Sequence, residues 1–223
     1  MDLKENTNQV FQQVTKAVQE TGREDGSVSV IAVTKYVDIA TAANLIDQGV
    51  KHIGENRVDK FLEKYHALSD KDVTWHLIGS LQRRKVKDII PFVDYFHALD
   101  SLKLAQEIQK RADRTVKCFL QVNISGEESK HGFSKEELLT VLQDLSSLDN
   151  IEYVGLMTMA PFEARTEELQ KIFKETQELQ QYIREQQFPN MPMTELSMGM
   201  SRDYKEAIQS GSTFVRIGTA FFK

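Results

Sequence analysis

The sequence predicts an α/β protein folded as a (β/α)8 barrel of the TIM type. Short β-rich runs alternate with helical stretches, the connections between them are short, and eight runs qualify as strands. Alternation of this kind gives parallel strands with crossover helices, and eight strand–helix units close into a barrel of about 250 residues. At 223 residues the barrel would be compact. An open doubly wound sheet is the alternative arrangement.

The eight strand candidates share a run of β-branched or other apolar residues between polar or turn-forming segments. In chain order they are residues 28–34, 51–54, 73–78, 95–97, 116–123, 151–157, 194–197 and 213–217.

The helices are predicted from apolar spacing and from capping residues. Residues 1–21 place valines four apart and follow no strand, so they predict an extra N-terminal helix outside the barrel. Residues 101–112 carry an apolar stripe and begin with a serine at the N-cap position. Ser134 and Glu137 form the capping-box signature at the start of a further helix, and residues 169–183 carry the longest stripe.

Composition and charge exclude several classes of protein. Lys and Arg total 28 against 33 Asp and Glu, a net charge of −5, which disfavours binding to nucleic acid or to an anionic membrane. There is no apolar run of about 18 residues and no secretion signal, so we expect a cytoplasmic protein. No linker or composition break divides residues 1–223, which predicts a single domain. The five histidines lack metal-ligand spacing, and we expect no metal site.

Lys35 is the first candidate for a reactive residue. It follows an apolar strand and precedes Asp38, a suitable N-cap for the next helix. In barrels of this type the reactive groups lie where the strands end and the loops begin. Loss of solvent at the barrel mouth would lower the pKa of the lysine amine and make it a Schiff-base nucleophile. The alternative is an ordinary solvated lysine.

Two glycine-containing loops predict an anion site. The loop after the seventh strand contains Ser197, Gly199 and Ser201, and the loop after the eighth contains Gly218 and Thr219. The glycines permit tight turns, and hydroxyls with free N–H groups can surround an anion. The loops after strands 7 and 8 commonly hold phosphate in this fold, which favours a phosphate site over ordinary capped loops.

Arg216 lies inside the eighth strand, where burial without a partner would be costly. Its guanidinium can donate to a pyridine nitrogen and keep that nitrogen unprotonated, and a salt bridge to a barrel carboxylate is the alternative. A lysine, a phosphate site and a buried arginine together point to pyridoxal 5′-phosphate (PLP). His76, within the third strand, is either a polar wall of the pocket or a core histidine bonded to backbone.

A set of motifs resembles the pyridoxal phosphate homeostasis protein family, which is similar in fold to the N-terminal barrel of alanine racemase. The motifs follow one another in order from about residue 28 to the C-terminus, at residues 32–35, 54–56, 75–82, 122–127, 155–161, 196–203 and 215–220.

The resemblance implies a barrel of PLP fold-type III, with the cofactor bound to Lys35 as an internal aldimine. It further implies that Arg216 faces the pyridine nitrogen and that Asn56 and His76 lie near the ring. By the same resemblance the phosphate would lie on Ser197, Gly199, Ser201, Gly218 and Thr219.

The role implied by the resemblance is PLP homeostasis, meaning the buffering and delivery of PLP and, indirectly, amino-acid and keto-acid balance. The sequence ends soon after the eighth strand, without the β-rich second domain of racemases, so we expect PLP binding without efficient turnover and assign no catalytic residue. Expected partners are PLP and apo forms of PLP-dependent enzymes, with the protein itself a monomer.

Two other functions compete with this interpretation. A PLP-dependent amino-acid racemase of narrow scope would need a second acid or base, for which Tyr36 and Tyr204 are the nearest candidates. A Schiff-base aldolase without cofactor would use Lys35 and the phosphate loops but leaves Arg216 unexplained. The charged loop at residues 127–132 is predicted to be a mobile flap over the barrel mouth, the alternative being a static surface loop.

Overall fold

Eight parallel strands form a closed barrel in the computed structural model, which describes residues 2–127 and 131–223. The strands follow one another in chain order around the barrel, and β8 closes it by pairing with β1. Their bounds are β1 Ser29–Val33, β2 His52–Glu55, β3 Thr74–Leu77, β4 Tyr95–Leu99, β5 Val116–Gln121, β6 Ile151–Met157, β7 Glu195–Met200 and β8 Phe214–Ile217. The predicted barrel is confirmed, and the open sheet is excluded.

Helices surround the barrel, as parallel strands require. They are α1 Leu3–Gln19, α2 Ile39–Asp47, α3 Val58–Ala67, α4 Val86–Ile89, α5 Leu102–Arg111, α6 Lys135–Ser146, α7 Thr166–Glu185 and α8 Tyr204–Gln209. Short 3-10 turns lie at Arg83–Lys85, Ile90–Phe92 and Thr219–Phe221. The extra N-terminal helix is present as α1, which packs against α8 and the last 3-10 turn.

The predicted caps begin their helices. Asp38 accepts a hydrogen bond from the backbone N–H of Thr41 at 2.8 Å, and Ser101 accepts one from Leu104 at 3.3 Å. Ser134 and Glu137 exchange both bonds of the capping box. Each side chain satisfies an N–H group that has no partner within its helix.

The seventh strand extends further than the sequence predicts. Its predicted end is Ser197, but pairing with β8 continues to Met200, whose register partner is Arg216. The register shifts within this pair, and Gly199 adopts a φ of +95° at the irregularity. Ser197 and Gly199 therefore belong to the strand, and the loop begins at Ser201.

Aromatic rings fill the barrel interior around Phe214, the first residue of β8. Five rings have centroids within 6.2 Å of the Phe214 ring, those of His52, His76, Tyr95, His97 and Phe119. This packed layer closes the barrel from below, so any space for a ligand lies above it, at the carboxyl ends of the strands.

Within the described ranges, none of the helices has the length and apolarity needed to cross a membrane. Residues 2–127 and 131–223 also contain no group of three His, Cys, Asp or Glu side chains that could hold a metal ion. That residues 1–223 form a single domain stays a prediction.

Candidate functional site

A cavity of about 1510 Å³ opens at the carboxyl ends of the strands. Among the described residues, its walls come from the loops after seven strands, at residues 35–37, 56, 78–80, 131, 159–162, 201–203 and 218–219, with Gln121 and Arg216 contributing from inside the barrel. This is the face on which barrels of this type carry their functional groups. The cavity is therefore the candidate functional site.

Lys35 lies on the cavity wall in the turn that follows β1. The side chain is exposed, and its ammonium lies 4.8 Å from the centre of the Tyr36 ring, a cation–π contact. The loss of solvent around Lys35 that the sequence predicted is not found, because the turn lies beyond the packed interior, at the open mouth of the cavity. What the structure provides is an accessible amine at the rim.

A buried ion pair holds the residue before Lys35. Lys64 of α3 donates to the Glu55 carboxylate at 2.5 Å and to the Thr34 carbonyl at 2.7 Å. The Thr34 hydroxyl donates to the same carboxylate oxygen at 2.6 Å. All three side chains are buried, so the hydrogen-bonded Glu55–Lys64 pair fixes the turn that carries Lys35 from inside the protein.

Asn56 follows β2 directly and lines the cavity, and the loop after β3 approaches it closely. A Cβ atom on Gly79 would lie 2.1 Å from the Asn56 carbonyl oxygen, far inside van der Waals contact. Only glycine permits this approach, and it places the backbone at Asn56 and Gly79 side by side in the wall.

Arg216 is buried at the cavity floor and is held by neutral acceptors rather than by a carboxylate. Its Nη1 donates to the Ser197 carbonyl at 2.8 Å and to the Ser197 hydroxyl at 2.5 Å, while Nη2 donates to the Thr158 carbonyl at 3.0 Å. Burial lowers the pKa of the guanidinium to about 10, and nearby Asp203 partly offsets this. The Nε–H and one Nη2 hydrogen have no acceptor among the described residues and remain available to a ligand.

Ser201, Gly218 and Thr219 line the cavity in two loops that contact each other. The Gly218 N–H donates to the Ser201 hydroxyl at 3.3 Å, which joins the loops after β7 and β8. Over the described ranges, the backbone N–H groups of Ser201, Arg202 and Thr219 find no protein acceptor. Three unpaired donors in adjoining loops make a site suited to an anion.

Asp203 lies beside these loops, and a negative charge on its carboxylate would repel an anion bound there. Its carboxylate caps the Met200 N–H at 2.5 Å, and burial raises the pKa of this carboxyl group. The exposed Arg202 guanidinium on the same wall stacks 3.8 Å from the Phe162 ring centre. The loop after β7 thus carries a carboxyl group, Asp203, that is bonded to the backbone, and a cation, Arg202, at the cavity mouth.

Three of the nine predicted site residues do not line the cavity. His76 lies below it, because its side chain points into the aromatic layer and bonds to His52 and His97 rather than to backbone. Ser197 is buried against Arg216. Gly199 faces α8, since a Cβ atom there would lie 2.7 Å from that of Ala207.

Sequence reasoning missed most partners of the site. His97 and Thr158 contact predicted site residues, while Glu55 and Lys64 hold Thr34, the residue before Lys35. Glu55 and Thr158 stand in motifs of the family resemblance, but none of the four was assigned a role. A signal was present for the histidines: His52, His76 and His97 lie on three successive strands. Spacing along the chain does not show such neighbours, whereas alignment of parallel strands does.

The two tyrosines considered as a second acid or base lie in different places. Tyr36 lines the cavity and is 85% exposed. Tyr204 is buried on α8, and its hydroxyl donates to Gln13 of α1 at 3.1 Å. Of the predicted flap, residues 128–130 lie outside the described residues, while His131 lines the cavity.

Comparison with known proteins assigns the chain to a family. The family model for the alanine racemase N-terminal domain matches residues 6–223. A pyridoxal phosphate homeostasis protein of Aquifex aeolicus is 37% identical over 225 residues, covering 100% of this chain and 98% of that protein. The chain belongs to the pyridoxal phosphate homeostasis protein family.

Solved structures similar to this family member share its whole fold. A crystal structure of a protein of unknown function from Bifidobacterium adolescentis has a TM-score of 0.94 and 35% identity, covering 99% of this chain and 94% of that one. PipY of Synechococcus elongatus, solved with PLP bound, has a TM-score of 0.84 and 33% identity, covering 94% and 100%. The family resemblance stated from the motifs is confirmed.

Proposed function

We propose that this protein binds PLP in the cavity at the carboxyl ends of the strands and acts in PLP homeostasis, holding the cofactor and delivering it to apo-enzymes. The observation that carries the proposal is that Lys35, Arg216 and the two loops with free N–H groups share one cavity. PipY, a relative of similar length, holds PLP in its structure, which supports the same ligand here.

The donors present match the chemical groups of PLP one by one. Lys35 offers a primary amine for the aldehyde, to which it would become covalently attached with release of water. Arg216 offers N–H donors and no acceptor, which suits an unprotonated pyridine nitrogen. Asn56 lines the same cavity and would contact the ring.

The phosphate fits the loops after β7 and β8. Ser201 and Thr219 supply hydroxyls there, and three backbone N–H groups lack protein acceptors in the described part of the chain. Gly218 belongs to the same site, and a Cβ on it would only touch Val33 at 3.4 Å, so its part is its N–H bond to Ser201 rather than steric relief. Ser197 and Gly199 would act indirectly, through Arg216 and α8.

Bound PLP supplies an electron-withdrawing aldehyde that reacts with amines. The residues around the cofactor favour holding PLP over catalysing a reaction with it. Arg216 would keep the pyridine nitrogen unprotonated, which weakens the capacity of the ring to accept electrons. Tyr36 is the one tyrosine of the two considered that lines the cavity, and its exposed side chain is held by no hydrogen bond among the described residues. Neither of these two tyrosines is therefore positioned in the cavity as the second acid or base that a racemase needs.

Borohydride trapping tests the attachment site. Reduction of the protein loaded with PLP, followed by peptide mapping, should place the pyridoxyl group on Lys35, and the variant Lys35→Ala should remain unlabelled. Lys51, which is paired with Asp72 at 3.0 Å and lies at the other end of the barrel, is the internal control. Labelling mainly at Lys51 or Lys205 would overturn the assignment.

Transfer and turnover separate a carrier from an enzyme. Apo forms of PLP-dependent enzymes should regain activity when mixed with this protein loaded with PLP, while α-proton exchange of common amino acids should be negligible. Racemisation at about 1–1000 per second, an ordinary enzymatic rate, would contradict the proposal. A monomeric state and a cytoplasmic location stay predictions.

A further inference from the structure

A line of hydrogen bonds crosses the barrel interior from the cavity to the opposite end. Arg216 bonds to the Ser197 hydroxyl, which lies 2.8 Å from His97 Nδ1. His97 Nε2 lies 2.9 Å from His76 Nδ1, and His76 Nε2 lies 3.0 Å from His52 Nδ1. His52 lines a separate cavity of about 270 Å³ near the amino ends of β1 and β2. These five residues are called the relay below.

The relay runs through apolar surroundings. The His97 ring stacks on Phe119 with centroids 4.4 Å apart, and the His76 ring stacks on Tyr95 at 5.0 Å. Both histidines are fully buried, and an imidazolium in this position would lack the solvent or carboxylate it needs. Each ring is therefore neutral, with one nitrogen donating and the other accepting.

Arg216 sets the direction of every bond in the relay. A guanidinium only donates, so the Ser197 oxygen accepts from it. Within the described ranges, the Ser197 hydroxyl hydrogen then has one acceptor, His97 Nδ1. His97 must carry its proton on Nε2 and donate to His76 Nδ1, and His76 must likewise donate from Nε2 to His52 Nδ1. One arrangement of protons satisfies the whole line.

We propose that His97 is a positioning residue for Arg216, while His76 and His52 continue the line of bonds behind it. A serine hydroxyl rotates freely unless its hydrogen has a fixed acceptor. By accepting that hydrogen, His97 turns the Ser197 lone pairs toward Nη1 and so fixes the plane of the guanidinium. The remaining Arg216 donors are thereby held toward the cavity. This role rests on the proposed function, in which those donors meet the pyridine nitrogen.

Tautomers measured in the ligand-free protein test the relay without PLP. Two-bond ¹H–¹⁵N correlation spectra should show His76 and His97 neutral and protonated on Nε2. A proton on Nδ1 of His97, or a charged ring, would overturn the proposal whether or not the protein binds PLP. Failure of PLP binding with these tautomers intact would instead count against the proposed function.

Two substitutions of His97 separate its two bonds. His97→Asn keeps an acceptor near the Nδ1 position and loses the bond to His76, while His97→Gln keeps a donor near Nε2 and loses the bond to Ser197. We expect His97→Asn to leave the absorption maximum of bound PLP unchanged and its Kd within about threefold. His97→Gln should shift that maximum and weaken binding about tenfold or more.

Two further variants complete the design. Ser197→Ala removes the same link and should reproduce the effect of His97→Gln, so it replaces that variant if His97→Gln does not fold. Phe119→Leu removes the ring stacked on His97 but none of the bonds, and should leave the absorption maximum in place. Equal spectra and equal Kd values for His97→Asn, His97→Gln and Ser197→Ala would show that the histidines only pack.

Discussion

Two buried histidines, His76 and His97, make the stability of the protein sensitive to mild acid. Burial lowers the pKa of both imidazoles well below the ordinary value, and for His97 the neighbouring His76 and Arg216 add to this. In the unfolded chain each histidine titrates near its ordinary pKa of about 6.5. Between the two pKa values the unfolded chain binds more protons than the folded one, so stability falls as the pH falls.

We expect the free energy of unfolding to drop by about 2–3 kcal/mol between pH 7.5 and pH 5.5. Each neutral buried histidine contributes about 1.4 kcal/mol per pH unit below 6.5, and two such residues act together. Urea unfolding at the two pH values measures the difference. His97→Asn should remove about half of it, whereas His66→Gln, at an exposed position of α3, should not change it. Equal stability at the two pH values would contradict neutral burial.

Gly79 is the residue that lets two loops of the cavity wall touch. The variant Gly79→Ala would place a Cβ atom 2.1 Å from the backbone oxygen of Asn56, so the backbone must move. We expect a loss of about 1–3 kcal/mol in stability, measured by urea unfolding, together with weaker PLP binding. In Gly218→Ala the new Cβ would make only ordinary contact with Val33, so the stability should change less. Equal losses would show that the steric argument fails.

At the scale of elements, the Glu55–Lys64 pair ties β2, α3 and the turn after β1 together. The two side chains are 0% and 3% exposed, and the second Glu55 oxygen has no partner among the described residues. A charge left alone in such a place costs more than the pair itself contributes, because water cannot reach it. The pair thus specifies where the turn carrying Lys35 must lie.

Lys64→Met should cost about 3–5 kcal/mol in urea unfolding, since it leaves the Glu55 carboxylate buried without a cation. The double variant Lys64→Met with Glu55→Leu should recover most of that loss. Lys60→Met breaks an exposed pair with Glu63 on the same helix and should change stability by about 0.5 kcal/mol or less. A single variant as stable as the wild type would refute the burial argument.

Most helices and strands could be predicted from the sequence, because capping residues and apolar spacing determine where they begin and end. Ser101 and Ser134 cap helices at the predicted positions, and residues 151–157 form the predicted sixth strand. The end of the seventh strand was predicted too early, since a glycine and a serine read locally as a turn. Pairing with β8 and packing against α8 extend the strand to Met200, and neither is visible in local sequence.

Apart from Arg216, which lies inside β8, the site residues that the sequence placed correctly are those just beyond the end of a strand. Lys35, Asn56, Ser201, Gly218 and Thr219 follow their strands directly, and all line the cavity. Residues inside strands were harder to place, because depth along the barrel axis depends on register between strands. His76 and Ser197 therefore lie one layer below the cavity, beside His97, which no local pattern had marked.

At the scale of the whole molecule, ligand binding and folding are coupled through the closed barrel. Among the described residues, the cavity draws its walls from loops after seven strands, so a ligand there contacts distant parts of the chain at once. A ligand at about 100 times its Kd stabilises the folded state by about 2.7 kcal/mol. For a chain of this size each kcal/mol raises the melting midpoint by roughly 2–4 °C.

We therefore expect PLP to raise the Tm by about 5–11 °C at that ligand excess, measured by differential scanning calorimetry. Pyridoxal, which lacks the phosphate, serves as the matched ligand control. It can still react with Lys35 and meet Arg216, but it leaves the N–H groups of Ser201, Arg202 and Thr219 unpaired. Its Tm shift at equal concentration should be much smaller. Equal shifts for PLP and pyridoxal would show that the loops after β7 and β8 hold no phosphate, and no shift with PLP would contradict binding in the cavity altogether.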